Sequence, residues 1–341
     1  MHMADALISA ATGGVMWAAS AGTASYSVRK VQTGLDESEN KIPLMGVTGA
    51  FVFAAQMINF TIPGTGSSGH IGGGLLLAVM LGPHAGFLTM ISILAIQALF
   101  FADGGLLALG CNIFNMGFFT CFVAYPLVYR KITRGRLSKK TILAGSVLAA
   151  VVGLQLGSLA VVLETVLSGK TELPFSTFLL MMQPIHLAIG VIEGLVTASA
   201  LTFLWNARPE LLEIDGSRKE IINSSNKRII AFILCAALIV GGAVSWYASD
   251  NPDGLEWSIE KTIGSSEVEG SSIIHEFFGN IQDRISFLPD YSFKSDAKTQ
   301  TPENLGTSVS GIAGSILTLA LAAMVGAVSK KHRRNNKKIK E

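Results

Sequence analysis

Charged residues are scarce in this sequence. Asp, Glu, Lys and Arg together make up 15% of its 341 residues, whereas half of the residues are hydrophobic and the mean hydropathy is +0.48. Soluble domains usually carry about 25% charged residues. The low charge excludes an ordinary soluble protein and predicts an all-α integral membrane protein that lies in a lipid bilayer.

Cysteine is also rare, and the charge is nearly balanced. The three cysteines, Cys111, Cys121 and Cys235, show no CxxC spacing. Their spacing excludes a disulfide framework and a thiolate zinc site. Because the net charge is only +2, nothing attracts the chain to nucleic acid, and we expect no nucleic-acid partner.

A complete phosphate-binding loop is missing as well. SGKT at 168–171 resembles the end of such a loop, but the pattern GxxxxGK[ST] requires glycine where Glu164 stands. We therefore expect no enzyme activity and no bound cofactor. If ATP powers transport, another chain has to hydrolyse it.

Long apolar runs are abundant. A helix needs about 20 apolar residues to cross a bilayer. The runs that qualify cover approximately residues 7–28, 42–62, 113–129, 142–164, 177–205, 229–248 and 308–328. A further stretch, 71–101, is interrupted by LGPHAG and forms either one long span or two short spans that turn at Pro83.

The basic residues decide between these two alternatives, because cytoplasmic loops carry an excess of Lys and Arg. They cluster within 29–41, 130–140 and 208–228 and in the tail KKHRRNNKK. All four clusters lie on one side only if 71–101 crosses twice. We therefore predict about nine transmembrane helices, with the N-terminus outside and the C-terminus in the cytoplasm.

The chain start, MHMADALIS, lacks the basic region that opens a secretory signal. We expect it to be retained, with the free amine of Met1 directly before His2. A tag or chance is the alternative explanation for a histidine at this position. His70 is predicted on the same outer side, in NFTIPGTGSSGHIGGG, a loop whose glycines allow it to fold back into the helix bundle.

An amine followed by histidine offers three nitrogens to a metal ion. They are the amine of Met1, the deprotonated backbone nitrogen of His2 and its ring Nδ1, which close a five-membered and a six-membered chelate ring. A fourth nitrogen from His70 would complete a square plane. Such tetragonal nitrogen sites suit Ni(II) or Cu(II). Because these nitrogens must lose protons to bind, the affinity should fall in acid.

Other polar residues lie inside or beside the spans. His186 and Glu193 are seven residues apart and so share one face of a helix. Ionisable groups in a membrane often carry function, but a structural hydrogen-bonding role is an equal alternative. The same two roles are open for a set of amide side chains, as groups that orient the metal ligands or as structural groups: Gln56, Asn59, Gln97, Asn112 and Asn115.

Small residues recur every fourth position in the first span, at Ala10, Gly14, Ala18 and Gly22. Such a strip allows a second helix to approach closely. It either packs inside this protein or docks another membrane subunit.

Several sequence blocks resemble one transporter family. They are MHMADALIS, NFTIPGTGSSGHIGGG, LGPHAGFL, QALFFADGGLLALGCNIFNMG and HLAIGVIEGLVTA, in order over about residues 1–205. Together they resemble the nickel or cobalt substrate-binding membrane component of energy-coupling-factor (ECF) transporters, the CbiM/NikM family. The segment PDGLEW, with PDY downstream and the last span, is similar to the PDGLE/NikN-like component that partners this subunit, here fused at the C-terminus.

The resemblance implies a ligand set and partners. In the family the ion is held by the terminal amine, the second residue and a loop histidine, which correspond to Met1, His2 and His70. It also implies a transmembrane coupling (T) component, two cytoplasmic ATPase subunits and a location in the plasma membrane of a prokaryote. Ala4 and Ala6 replace the proline and glycine that are usual near the start.

The resulting organisation has four parts. Residues 1–205 form the metal-binding membrane domain, 206–228 a cytoplasmic linker, 229–329 a two-helix unit with an extracytoplasmic segment at 250–306, and 330–341 a basic tail. We expect the substrate-capture subunit of an ATP-driven importer of Ni(II) or Co(II). The alternative is a membrane sensor or assembly scaffold in which 250–306 binds a partner protein.

Overall fold

The computed structural model describes residues 1–34, 41–135, 137–170, 172–207, 212, 226–265, 268, 272–293 and 303–338. The first helices and strands in chain order are α1 (Ala10–Gly34), α2 (Lys41–Gln56), β1 (Phe60–Ile62), β2 (Ser67–Gly69), α3 (Gly74–Leu81) and α4 (Pro83–Phe100). They are followed by α5 (Leu109–Thr133), α6 (Lys139–Leu167), α7 (Phe175–Ala207), α8 (Asn226–Gly242), α9 (Gly254–Ile263), α10 (Ile273–Ile285) and α11 (Glu303–Lys338).

The described helices confirm a helical membrane protein. Five of them are long and apolar enough to cross a bilayer, namely α4, α5, α6, α7 and the stretch Asn304–Ser329 of α11. The shorter helices α2 and α8 are apolar as well. The count of nine crossings and the direction of the termini stay predictions.

The stretch 71–101 is broken at Gly82 and Pro83, as the sequence predicts. Gly82 has a φ of 84°, which glycine adopts readily, and Pro83 opens α4 at a position where no backbone N–H is needed. The helix before the break, α3, has only eight residues and all of them are buried. At 1.5 Å per residue it covers about 12 Å, less than half of a bilayer core, so α3 alone is too short for one of the two crossings predicted for this stretch, and the double crossing stays a prediction.

The second predicted run, 42–62, is helical only in its first part. Helix α2 ends at Gln56, and the chain continues into a short antiparallel hairpin in which Phe60 pairs with Gly69. Positive φ angles at Gly64 and Gly66 make the turn of the hairpin possible. The apolar residues at the end of the run therefore belong to a partly buried hairpin, and not to a transmembrane helix.

The C-terminal helices pack on the N-terminal part of the chain. Helices α8 and α11 both lie against α2, and a Cβ on Gly46 would come within 3.0 Å of the carbonyl oxygen of Leu319. Gly241 and Gly311 bring α8 and α11 together, since a Cβ on Gly241 would lie 3.1 Å from the backbone of Gly311. Small residues allow this close contact between helices.

One end of the bundle carries basic residues and the turn at Pro83. The Oγ atom of Ser27, near the end of α1, lies 3.3 Å from the Nδ1 atom of His84. Arg29 lines a cavity together with Val328 of α11. The chain start and the described part of 250–306 lie at the opposite end, where His275 donates a hydrogen bond to the carbonyl of Ile8 (2.9 Å).

Candidate metal centre

The first three residues are inserted into the protein. Met1 is 9% exposed and Met3 is fully buried. The backbone N–H of Met3 donates to Oδ1 of Asn112 (2.7 Å), and its carbonyl accepts from the Asn112 Nδ2 (3.2 Å) and from the backbone N–H of Gly105 (2.9 Å). Chain ends usually fray, but these bonds hold this one in a defined position.

Asp5 fastens the next turn of the chain. Its Oδ1 atom accepts from the backbone N–H of Ala108 (2.9 Å), and a Cβ on Gly105 would collide with its carboxylate. Burial raises the pKa of Asp5, while the hydrogen bond from Ala108 lowers it. The insertion of the chain start is thus compatible with alanine at positions 4 and 6.

His70 lies beside the amine of Met1. Its Nε2 atom is 3.4 Å from the Met1 nitrogen, and its Nδ1–H donates to the carbonyl of Ile71 (3.2 Å). This backbone hydrogen bond leaves the lone pair on Nε2, the arrangement typical of metal-binding histidines. Two nitrogens in a square plane with bonds of about 2.0 Å are about 2.8 Å apart, so a small movement converts the observed pair into two ligands.

The ring of His2 stacks on the ring of His70, with 5.1 Å between the centroids and 16° between the planes. Nε2–H of His2 donates to Oε1 of Gln97 (3.2 Å), which assigns Nδ1 as the nitrogen available to a metal ion. Nδ1 lies 3.2 Å from a carboxylate oxygen of Asp103, a contact that is favourable only with a proton on Nδ1, so an incoming ion has to replace both that proton and the contact.

Burial favours the neutral form of both rings. It lowers the pKa of His2, against the opposing charge of Asp103. Burial and, in the same direction, the adjacent terminal ammonium lower the pKa of His70 to about 3. Neutral imidazole is the form that coordinates a metal ion.

An amide relay joins His2 to the loop of His70. Nε2 of Gln97 donates to Oε1 of Gln56 (2.9 Å), and Nε2 of Gln56 donates to the carbonyl of Gly72 (2.7 Å). Gln97 therefore contacts His2 directly, and Gln56 contacts the loop of His70 through the carbonyl of Gly72.

The remaining predicted amides lie farther from the histidines. Asn112 holds the backbone of Met3, as described above, and Asn115 donates to a carboxylate oxygen of Glu164 (2.7 Å). The backbone carbonyl of Asn59 accepts from Ser249 (2.8 Å).

The structure separates the roles of Glu193 and His186. The carboxylate of Glu193 accepts from the backbone N–H groups of Gly72 and Gly73, at 3.0 Å each, and so positions the loop that carries His70. His186 donates from Nδ1 to the carbonyl of Met182 (2.8 Å). Its Nε2 atom is buried and has no hydrogen-bond partner among the described residues, and the ring borders a cavity of about 30 Å³ that Met1 also lines.

Three residues of the site were missed by the sequence analysis. The amine of Met1 forms an ion pair with Oδ2 of Asp253 (2.6 Å), and the hydroxyl of Tyr291 donates to Oδ2 of Asp103 (2.5 Å). Asp103, Asp253 and Tyr291 stand within the blocks FFADGG, PDGLEW and PDY. Membership in those blocks was the only signal available, because nothing in the local pattern brings them to the chain start.

The ionisation of these groups follows from their neighbours. Burial opposes the charge on Asp253, but the adjacent ammonium holds the pKa of this carboxyl below its usual range. Burial and the charge of Asp103 raise the pKa of Tyr291 well above its usual value, so the hydroxyl stays protonated and donates a hydrogen bond to Asp103.

Side chains alone do not form a metal cluster here. No three His, Cys, Asp or Glu side chains converge on one point within the part of the chain that the structure describes. The Met1 amine, 3.4 Å from Nε2 of His70, is a further nitrogen at this place besides the two imidazoles.

Comparison with known families agrees with the sequence blocks. Residues 2–211 match CbiM, the family described as the cobalt uptake substrate-specific transmembrane region, and residues 227–331 match the PDGLE domain. The chain belongs to the CbiM family. The predicted resemblance, including the fused C-terminal component, is confirmed.

Individual relatives of this CbiM-family chain come from archaea and bacteria. A NikMN-type fused chain of Archaeoglobus fulgidus is 30% identical over 94% of this chain and 96% of its own length. The fused nickel transport protein NikMN of Rhodobacter capsulatus is 34% identical over 62% of this chain and 64% of its own length. A crystal structure of a truncated transition-metal transporter is 30% identical and has a TM-score of 0.53, over 61% of this chain and 99% of the other.

Proposed function

We propose that this protein is the substrate-capture subunit of an ATP-driven importer of the ECF type and that its substrate is Ni(II) or Co(II). The observation that carries the proposal is the meeting of the Met1 amine with Nε2 of His70 at 3.4 Å, beneath the stacked ring of His2. The nickel and cobalt transporters among the relatives of this chain support the same substrate class.

The proposed ligands are four nitrogens. Met1 supplies the amine, His2 supplies its backbone nitrogen and Nδ1, and His70 supplies Nε2. The three nitrogens of the first two residues are adjacent in the chain, and Nε2 of His70 lies 3.4 Å from the first of them. Two buried or half-buried carboxylates, Asp103 and Asp253, lie beside these ligands and favour a cation over a neutral ligand.

Replacing His70 tests this ligand set. The purified full chain, starting at a free Met1, is expected to bind about one Ni(II) ion, and His70→Ala is expected to weaken the affinity at least about 100-fold, since it removes one of four ligands. Isothermal titration with Ni(II) measures both. His84→Ala is the matched control because His84 lies at the other end of the bundle, and it should bind Ni(II) as the wild type does. Wild-type affinity in His70→Ala would contradict the proposal.

The small-residue strip of α1 is exposed in the structure. A Cβ added to Gly14 or to Gly22 would meet nothing within 4 Å, and Ala10 and Ala18 are also exposed. Internal packing, one of the two explanations open from the sequence, therefore has no support among the described residues. We propose that the strip docks the transmembrane coupling component, which in turn binds two cytoplasmic ATPase subunits.

Leucine substitutions in the strip test this docking. The combined replacement of Ala10, Gly14 and Ala18 by leucine should remove co-purification of the coupling component and the ATPases by blocking close helix approach, while Ni(II) binding stays unchanged. The control carries leucine at Ala144 and Ser199, which are exposed on α6 and α7, and should co-purify normally. Undiminished co-purification of the strip variant would show that the docking face lies elsewhere.

The sensor or scaffold alternative is not favoured by the contacts of 250–306. That alternative needs this segment for a separate partner protein. Within its described residues, Asp253 instead contacts Met1 and His275 contacts Ile8. Tyr291 contacts Asp103, which lies beside His2. The segment is thus engaged with the proposed ion site.

A further inference from the structure

The amine at the start of the chain lies against a carboxylate from its C-terminal unit. The Met1 nitrogen and Oδ2 of Asp253 are 2.6 Å apart, although 252 positions separate the two residues. The Met1 side chain is 9% exposed and that of Asp253 is 17% exposed. An ammonium that is so little exposed to water needs a counter-charge, and Asp253 supplies it.

The carboxylate of Asp253 is held in place through its other oxygen. Oδ1 caps helix α9 by accepting from the backbone N–H groups of Leu255 and Glu256, at 2.8 Å each. The backbone N–H of Asp253 donates in turn to the Glu256 carboxylate (3.1 Å), which completes a capping box. With one oxygen committed to the cap, the other oxygen has a defined direction toward Met1.

The backbone around Asp253 is fastened to the loop that carries His70. The backbone N–H of Ser68 donates to the carbonyl of Pro252 (2.8 Å), and the hydroxyl of Ser68 donates to the carbonyl of Asn251 (2.7 Å). Trp257 donates from its indole N–H to the carbonyl of Thr65 (2.9 Å). Asp253 therefore keeps a fixed relation to His70, the proposed ligand on the same loop.

The charge beside Asp253 is the same before and after ion capture. Before capture, the ammonium of Met1 carries one positive charge. With the proposed ligand set, capture of Ni(II) would release one proton from the amine and one from the backbone nitrogen of His2 to the solvent, so a divalent ion bound to one anionic nitrogen would again leave one positive charge. The neutral amine that binds the ion still has two N–H groups, and one of them can donate to the same carboxylate.

We propose that Asp253 is a positioning residue of the ion site, whose carboxylate keeps the Met1 amine inserted before the ion arrives and accepts a hydrogen bond from it afterwards. The PDGLE segment of the C-terminal unit thereby completes a site whose ligands all lie in the first 70 residues. This inference rests on the proposed function for the bound state, but the inserted amine of the ion-free protein does not depend on it.

Asp253→Asn tests the proposal without removing the helix cap. Asparagine caps helices as well as aspartate does, so Oδ1 stays available to α9 while an NH₂ group replaces the oxygen that faces Met1. In the metal-free variant the α-amine is expected to react at least about tenfold faster with an acylating reagent, read by mass spectrometry of the N-terminal peptide. The Ni(II) affinity should fall about 10- to 100-fold, the usual effect of losing a group that orients a metal ligand.

The visible absorption of the Ni(II)-saturated protein supplies a second readout. Because Asp253 is not a ligand, the band position in Asp253→Asn should equal that of the wild type once the site is saturated. Asp253→Ser, which also retains a capping oxygen, should show the same changes as the asparagine variant and serves if that variant folds poorly. Glu260→Gln, which neutralises an exposed carboxylate on the same helix α9, is the control and should leave amine reactivity and Ni(II) affinity unchanged.

The possible failures are distinguishable. An α-amine that stays equally protected in Asp253→Asn, together with wild-type Ni(II) affinity, would overturn the role of Asp253 alone. A wild-type chain that binds no Ni(II) would overturn the proposed function, whereas the labelling experiment, which contains no metal, would still report whether Asp253 holds the amine.

Discussion

A short extension ahead of Met1 is expected to abolish high-affinity Ni(II) binding. It converts the amine into an amide, which removes one nitrogen ligand, the five-membered chelate ring and the positive charge that pairs with Asp253. The added residues would also have to fit where Met1 is 9% exposed. We expect the affinity to fall by at least about 1,000-fold, which corresponds to about 4 kcal/mol.

The extension should contain at least four residues and end in a protease site that regenerates Met1 on cleavage. A single added residue is unsuitable, because a new amine two positions before the histidine could chelate nickel with two backbone nitrogens. Titration with Ni(II) before and after cleavage measures the effect on the same preparation, and cleavage should restore the affinity. The same extension placed after Glu341 is the control. Tight binding by the uncleaved protein would exclude the amine as a ligand.

Glu193→Ala is expected to have the second largest effect. It leaves the buried backbone N–H groups of Gly72 and Gly73 without their acceptor, and each such loss costs about 1–3 kcal/mol. The loop of His70 would no longer be held against α7. We expect a lower thermal unfolding midpoint and a Ni(II) affinity reduced at least about 100-fold, because the ligand has to be ordered upon binding.

A graded series distinguishes this effect from a general loss of charge. Glu193→Gln keeps one acceptor oxygen and should lie between the wild type and Glu193→Ala in both measurements. Glu172→Ala removes an exposed carboxylate near the start of the same helix and should change neither. Wild-type affinity in Glu193→Ala would mean that the loop holds its position through other contacts.

Much of the fold could be predicted because it depends on local composition. Hydropathy located the long helices, and the turn at Pro83 followed from a residue that cannot continue a helix. The predicted span 42–62 is wrong at its C-terminal end, where the helix stops at Gln56 and β1 (Phe60–Ile62) follows. Hydropathy reports that residues are buried, but it does not distinguish burial in lipid from burial in protein.

The site was predictable only where its residues are neighbours in sequence. The chelate of Met1 and His2 follows from adjacency, and His70 from a loop rich in glycine. The structure brought His70 to Met1 across 69 positions and Asp253 to Met1 across 252. It also decided that Glu193 accepts backbone hydrogen bonds from the loop while His186 donates to the carbonyl of Met182 on its own helix, although both residues share one helix face.

The sequence by itself therefore determined the membrane class, the positions of the long apolar helices and the nitrogen donors at the chain start, because each depends on residues close together in the chain. Only the tertiary structure decided that the chain start is inserted and that the C-terminal unit places a carboxylate on its amine. The physical reason is that an ion pair depends on distance and burial in three dimensions, and neither can be read from the spacing of residues 252 positions apart.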